Sequence, residues 1–214
     1  MLGLLCALLV GVLFLFLCVD FMKRLKIAQI GVEHDHAADI MLTIRNLDMF
    51  EVVGYSRVDD VDIQFTPKKE IYKDVPEYTV EELLNIEGLE AVTIETCEKN
   101  LIKYALMALE KGLYVHIDKP GNESLEDFEK LINLVKQKNL TLHFGYMYRY
   151  NPAILKVREL AASGELGEIY SIETHMPTMY TDEKRKWLCS LKGGMMFFLG
   201  CHMLDVILQF IGKP

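Results

Sequence analysis

From Lys26 to Gly145 the chain repeats one pattern: a short run rich in β-branched and aromatic residues, then a longer segment with apolar positions at helical spacing. Lys26–Gly31 (KIAQIG), Phe50–Tyr55 (FEVVGY), Ala91–Ile94 (AVTI), Tyr114–Ile117 (YVHI) and Thr141–Gly145 read as strands. Between them, a helix opens at His36 with Ala37, Ile40, Met41, Ile44 and Leu47 on one side. Others span Thr79–Ile86, Lys99–Lys111 and Ser124–Lys138. Thr79 with Glu82 three residues on is a capping box, and Gly112 stands where a helix terminates on a left-handed residue. Strands separated by helices with short connections cannot pair as hairpins. They require a parallel α/β sheet, doubly wound, with helices on both faces.

A strand, a glycine turn, a helix and a second strand open a dinucleotide-binding unit of Rossmann type. The phosphates of such a ligand face a helix N-terminus. A full G-x-G-x-x-G would put glycines where this chain has Glu33 and His36, so Gly31 alone survives. After the second strand comes Tyr55-Ser56-Arg57, with no acid before Asp59 and Asp60. An acid there holds the ribose hydroxyls of NAD, whereas an arginine accommodates the 2′-phosphate of NADP, so NADP is favoured over NAD. Gly31, Glu33, His36, Ser56 and Arg57 are the candidate cofactor contacts of this half.

The stretch Tyr114–Pro120 ends a strand on Asp118-Lys119-Pro120. Proline biases the residue before it towards extended geometry, which holds Lys119 at the carboxyl edge where open parallel sheets bind ligands. A surface turn containing Lys-Pro would read the same in isolation. Beyond Gly145 the composition shifts. Tyr146-Met147-Tyr148-Arg149-Tyr150-Asn151-Pro152 mixes aromatic and polar groups, a helix runs to Ala162, and Ile169–Thr174 alternates as a half-buried strand would. Trp187 and Gly193-Gly194 lead into MMFFLGCHMLDVILQFIG, apolar nearly all round and expected as a buried helix. His202 and Asp205 intrude on it, three residues apart and on one helix face. The organisation expected is an apolar segment at 1–21, a dinucleotide-binding domain at 22–147, and the start of an α+β substrate domain at 148–214.

Net charge of −8 without a lysine/arginine cluster argues against nucleic acid as a partner. Five cysteines without a CxxC pair suit a reducing compartment. Neither His34/His36 nor Cys189, Cys201 and His202 has recognised ligand spacing, so no metal is expected. Residues 1–19 carry no charge, and Lys23, Arg24 and Lys26 follow them. Either this is a membrane anchor with the body on the cytoplasmic side, or translation begins at Met22; both place the domain in the cytoplasm.

Gly31, Asp118-Lys119-Pro120, Tyr148-Arg149 with Pro152, Gly164 with Leu166-Gly167, and Gly193-Gly194 with Gly200, His202 and Asp205 occur in a set order. That series resembles the glucose–fructose oxidoreductase, inositol dehydrogenase and rhizopine-catabolism (Gfo/Idh/MocA) family from about Lys26 to Pro214. The resemblance implies an NAD(P)-dependent oxidoreductase. Its hydride would pass between a nicotinamide and a hydroxyl-bearing carbon of a sugar, an inositol or a related polyhydroxylated small molecule. It implies Lys119 and His202 as catalytic residues, Thr96, Asp118, Lys119, Pro120 and Arg149 beside the cofactor, and Lys119, Tyr148, Trp187, His202 and Asp205 around the substrate. Three departures accompany it. Phe198 stands where many family dehydrogenases carry an aspartate four residues before the histidine. Thr96–Asn100 lacks the usual proline and histidine. The family's large antiparallel sheet, with its oligomer interface, is not reached, so a truncated chain and a homo-oligomeric parent are expected. Within this resemblance, an NAD-dependent glycosidase and a non-catalytic dinucleotide sensor stand as alternatives.

Overall fold

The structure, a computed structural model, describes residues 23–32, 34–58, 69–121 and 124–213. Five parallel strands, β1 (Leu25–Ile30), β2 (Phe50–Ser56), β3 (Ala91–Ile94), β4 (Tyr114–Ile117) and β5 (Leu142–Phe144), form one sheet in the order β2-β1-β3-β4-β5. The chain leaves β1 to reach β2 on one side, then crosses back to place β3 on the other. Their carboxyl ends therefore diverge in a crevice, the switch point at which such sheets bind ligands.

Side-chain alternation sorts the sheet into two faces. Ala28, Ile30, Val92, Ile94, Val115 and Ile117 point to one side and are buried there. Against them pack α2 (Val80–Leu84), α3 (Leu101–Glu110) and α4 (Leu125–Lys138), through Leu83, Leu101, Ala105, Leu109 and Leu131. The other face is covered at β1 and β2 by α1 (Ala37–Asn46), whose Met41 and Ile44 meet Ile27, Tyr55 and Tyr72. Over β3 and β4 that face opens into an apolar hollow of about 550 Å³ bordered by Ile40, Tyr114, His116 and His143. Gln29, fully buried on β1, ties the following turn in place: its amide nitrogen lies 2.9 Å from Gly31 O, 3.2 Å from Ala37 O and 2.8 Å from the Tyr72 hydroxyl.

The local signals act as their chemistry dictates. Thr79 Oγ1 accepts from Glu82 N–H at 3.2 Å while the Glu82 carboxylate accepts from Thr79 N–H at 2.9 Å, so both halves of the capping box form. Asn139 closes α4 in the left-handed region at φ 53°. Asn151 caps α5 (Pro152–Ala162), with Pro152 in the first turn, where its missing N–H costs nothing.

Two expectations need correction. Ile169–Thr174 forms no strand, although Ile172 and Thr174 remain half-buried between exposed neighbours. Alternation supplies a pattern of burial, but a strand also needs an edge to pair with, and none lies beside this segment among the described residues. The apolar run at the C-terminal end is helical but not buried all round. A π turn at Met196–Gly200 feeds α7 (Cys201–Ile211), after the short α6 (Asp182–Leu188). On α7 the polar residues His202 and Asp205 are buried with Val206, while Leu204, Leu208 and Ile211 are exposed. The helix presents its polar side to the Rossmann unit and its leucines outward. Among the described residues no helix is long and apolar enough to cross a membrane; residues 1–22, including the proposed anchor, lie outside them.

Candidate active site

Three strand ends build the crevice. At the end of β1, Gly31 adopts φ +89°, and a Cβ there would lie 2.7 Å from the backbone of Glu95 and from Thr96 Cγ2. Only glycine makes so tight a turn against the loop after β3. That is the role of the first glycine in a dinucleotide fingerprint. The turn passes through His34 and Asp35 into α1, with His36 at the N-cap. At the end of β2, Ser56 is fully buried, and its hydroxyl has no hydrogen-bond partner among the described residues. Arg57 beyond it is half-exposed, with Nε 3.1 Å from Glu77 Oε1. Glu33 lies outside the described residues. Thr96 is buried after β3, its hydroxyl donating to Cys97 O at 3.1 Å.

Below the crevice the ends of β1, β3 and β4 bring buried charges together. His34 Nδ1 lies 3.2 Å from Asp118 Oδ2 and 3.8 Å from Glu95 Oε2, and its Nε2 lies 3.6 Å from Glu98 Oε1. His36 Nδ1 contacts Asp118 Oδ2 at 2.7 Å. Burial opposes a charge on His34, but Asp118, Glu98, Glu95 and Asp35 outweigh it and raise its pKa to about 9. For Asp118 burial is again the largest influence, and His34, His36 and Lys119 overcome it to hold the carboxyl far below the usual range. Glu95 goes the other way: complete burial, reinforced by the Asp118 charge, pushes its pKa well up.

At the end of β4, Lys119 is 1% exposed and reaches α7's approach. Its Nζ donates to Phe198 O at 3.3 Å and lies 4.0 Å from the centroid of the Phe198 ring. One π turn onward, His202 is 2% exposed, with Tyr146 and Tyr148 edge-on at ring distances of 5.9 and 5.2 Å. Its Nδ1 has no hydrogen-bond partner among the described residues. Burial, helped by the Lys119 charge, lowers the His202 pKa to about 4, so the ring is neutral at neutral pH. Pro120 is buried beside Lys119.

The structure thus gathers Gly31, His36, Thr96, Asp118, Lys119 and Pro120 along one edge of the sheet, with Tyr148 and His202 joining from the C-terminal part. Arg149 and Asp205 are brought to each other: Arg149 Nε lies 3.0 Å from both Asp205 oxygens, and Gln209 also donates to that carboxylate. Trp187 packs edge-on against Phe198 at 5.3 Å. Sequence reasoning missed Glu95 and Glu98, and it saw His34 only beside His36. Their partners sit on other strand ends, and the local signal was no more than two glutamates, Glu95 and Glu98, in the loop after β3.

Comparison with known proteins agrees with this architecture. Residues 25–146 match the family model described as "Oxidoreductase family, NAD-binding Rossmann fold", and residues 154–214 match the GFO/IDH/MocA C-terminal domain. Over 135 residues the chain is 30% identical to the uncharacterized oxidoreductase YhhX of Escherichia coli, covering 63% of this chain and 39% of that protein. It is 27% identical to D-xylose 1-dehydrogenase (NADP(+)) 2 of Haloferax volcanii, covering 63% of this chain and 42% of that one. In fold it is similar to scyllo-inositol dehydrogenase from Lactobacillus casei, solved with NAD(H) and scyllo-inositol, with TM-score 0.73 and 22% identity over 90% of this chain and 57% of that one. The chain spans about two fifths of the length of the curated relatives it matches.

Proposed function

The chain belongs to the Gfo/Idh/MocA family of oxidoreductases, and from that premise we propose that it carries the reacting centre of an NAD(P)-dependent dehydrogenase acting on a CH–OH group of a sugar, inositol or similar polyol. The observation that carries this reading is the buried pair of Lys119 and His202, drawn from opposite parts of the chain to the carboxyl edge of the sheet. The tight turn at Gly31 and the helix that follows fit a dinucleotide at the switch point. When bound, the nicotinamide supplies the hydride acceptor or donor. Ser56 and Arg57 would hold the ribose end, with NADP preferred, and Thr96, Asp118, Pro120 and the turn at His36 would line the remainder.

His202, neutral at working pH, would take the hydroxyl proton at Nδ1, a buried atom that has no hydrogen-bond partner among the described residues. Lys119 brings a positive charge to the oxygen as that proton leaves. Tyr148 and Tyr146 fix the ring edge-on, while Arg149 through Asp205 sets the rotation of α7 and so acts as a positioning pair. Trp187 backs Phe198 rather than the reacting atoms.

Titration of the purified protein with NADPH and NADH, read by nicotinamide fluorescence, tests the cofactor half. Binding with NADPH the tighter is expected, and Arg57→Asp should weaken NADPH more than NADH. Screening inositols, pentoses and hexoses for hydride transfer tests the chemistry: His202→Asn should lower turnover on the order of 100-fold or more with dinucleotide binding kept. A folded protein that binds neither dinucleotide would refute the proposal, and binding without turnover on any polyol would favour a dinucleotide sensor.

A further inference from the structure

We propose that the uncharged segment at residues 1–19 docks on the open face of the sheet and closes the hollow over β3 and β4. All-parallel sheets are ordinarily covered on both faces, because their strands are apolar on both. Here α2, α3 and α4 cover one face, and α1 covers the other only at β1 and β2. Across β3, β4 and the start of β5 nothing among the described residues lies over the second face. Tyr114 is 46% exposed there, and Thr141 is exposed at the same border. The hollow, about 550 Å³, is bordered by Leu25, Ile40, Ile44, Phe50, Tyr114 and Thr141 and by no charged side chain. An exposed apolar recess of this extent marks a docking place.

The path of the chain points to the occupant. Leu25, the first residue of β1, itself borders the hollow. Lys23 Nζ lies 3.2 Å from Glu90 Oε1, next to the start of β3, so the chain enters the sheet at the hollow's edge. Residues 1–19 are joined to Leu25 by five residues, 20–24. So short a tether holds them beside the hollow at an effective concentration on the order of millimolar.

The chemistry matches as well. Residues 1–19 consist of Leu, Val, Phe, Ala, Cys, Met and Gly, without one charged or hydroxyl-bearing side chain. Away from water their peptide groups need partners within the segment, which a helix supplies. Nineteen residues of helix extend about 28 Å. From β1 across β3 and β4 to β5 is three strand spacings, about 14 Å. The segment is long enough to cross the hollow. Leu25, Phe50 and Tyr114 begin their strands, so the hollow lies towards the amino ends, away from Gly31, Lys119 and His202. The proposal is therefore independent of the dinucleotide reading.

Thr141→Cys in the full-length chain puts a thiol at the hollow's border, and its maleimide labelling rate, read on its own peptide by mass spectrometry, reports cover. A second full-length protein adds Leu8→Lys, Leu13→Lys and Phe14→Lys, which put charge on three sides of the helical segment. Labelling at position 141 should be slower on the order of 10-fold without the lysines than with them. Lys136→Cys, exposed on α4 over the opposite face, should label equally fast in both backgrounds. Equal rates at position 141 would overturn the proposal: fast, they leave the hollow open; slow, they give it another cover. Protection lost on dilution would overturn it by making a second copy the source of the cover. Partition of the full chain into phosphatidylcholine vesicles with position 141 still reactive would also overturn it, assigning the segment to a membrane.

Discussion

The Lys119 ammonium meets one residue twice: it lies 4.0 Å from the centroid of the Phe198 ring and donates to the carbonyl of the same residue at 3.3 Å. Lys184 Nζ lies over the ring as well, 4.8 Å from its centroid. An aromatic face is attractive to cations and a leucine is not. Phe198→Leu should therefore cost about 1–2 kcal/mol of stability, whereas Phe198→Tyr, which keeps the ring, should cost clearly less. Urea midpoints of the three proteins make the comparison. Equal midpoints for leucine and phenylalanine would show that the ring serves only to fill space.

His202 gives a pH dependence with a definite sign. Its folded pKa of about 4 lies below the ordinary 6.5, mainly because it is buried and secondly because Lys119 is near. The unfolded chain therefore takes up a proton that the folded chain resists between these values. Stability should fall as pH drops from 6.5 towards 4. Replacing His202 with glutamine should flatten that part of the urea-midpoint profile. A profile unchanged by the substitution would mean that other groups set the acid limit.

Gly31→Ala combines two penalties, a positive φ of +89° and a Cβ 2.7 Å from the Glu95 backbone. Backbone cannot move aside as a flexible side chain can. A loss of about 1–3 kcal/mol follows from the strained conformation alone, and dinucleotide binding should weaken with it. Thermal denaturation and NADPH titration read the two effects. Gly112→Ala is the matched control: it has a similar φ of +83° with nothing near its Cβ, and should cost less.

Arg149 and Asp205 join the segment after β5 to α7. Asp205 is nearly buried, and Arg149 is about half in solvent, so the pair is screened from one side. Arg149→Lys removes the two-pronged geometry and should cost about 1 kcal/mol or less. Asp205→Asn should also alter turnover by turning His202 out of place, leaving dinucleotide affinity as it was. A change in affinity instead would put Arg149 against the cofactor.

The sheet was legible because its signals are local. Apolar spacing placed α1 and α3, the Thr79–Glu82 reciprocity started α2, and glycine or asparagine in the left-handed region ended α3 and α4. What the sequence concealed depends on distant partners. Ile169–Thr174 has the right alternation but no edge to join. The leucines of α7 look like core until the polar residues between them prove to be the buried ones. His36 and Asp118 are 82 positions apart in the chain and touch at 2.7 Å, a relation that spacing along the sequence cannot announce. Of the candidate site, Lys119 was singled out by its strand-end position and His202 by its place beside Asp205 in an apolar run, and the roles given to them and to Asp118 came from the family resemblance, while Glu95 was not singled out. A glutamate after a short strand reads as solvated until the fold closes over it.

The π turn at Met196–Gly200 has a consequence for descent as well as for chemistry. A π turn holds one residue more than the α turn it replaces, and each residue in an α-helix advances the next by about 100°. Loss of one residue from this segment would leave an ordinary α turn in place of the π turn, and His202 and Asp205 would keep their facing. The same loss from a regular turn, such as one in α5, would carry everything after it around by that angle. The π turn is therefore the place where this helix can absorb a change of length, and the regular turns around it are where a change of length is felt by every later side chain.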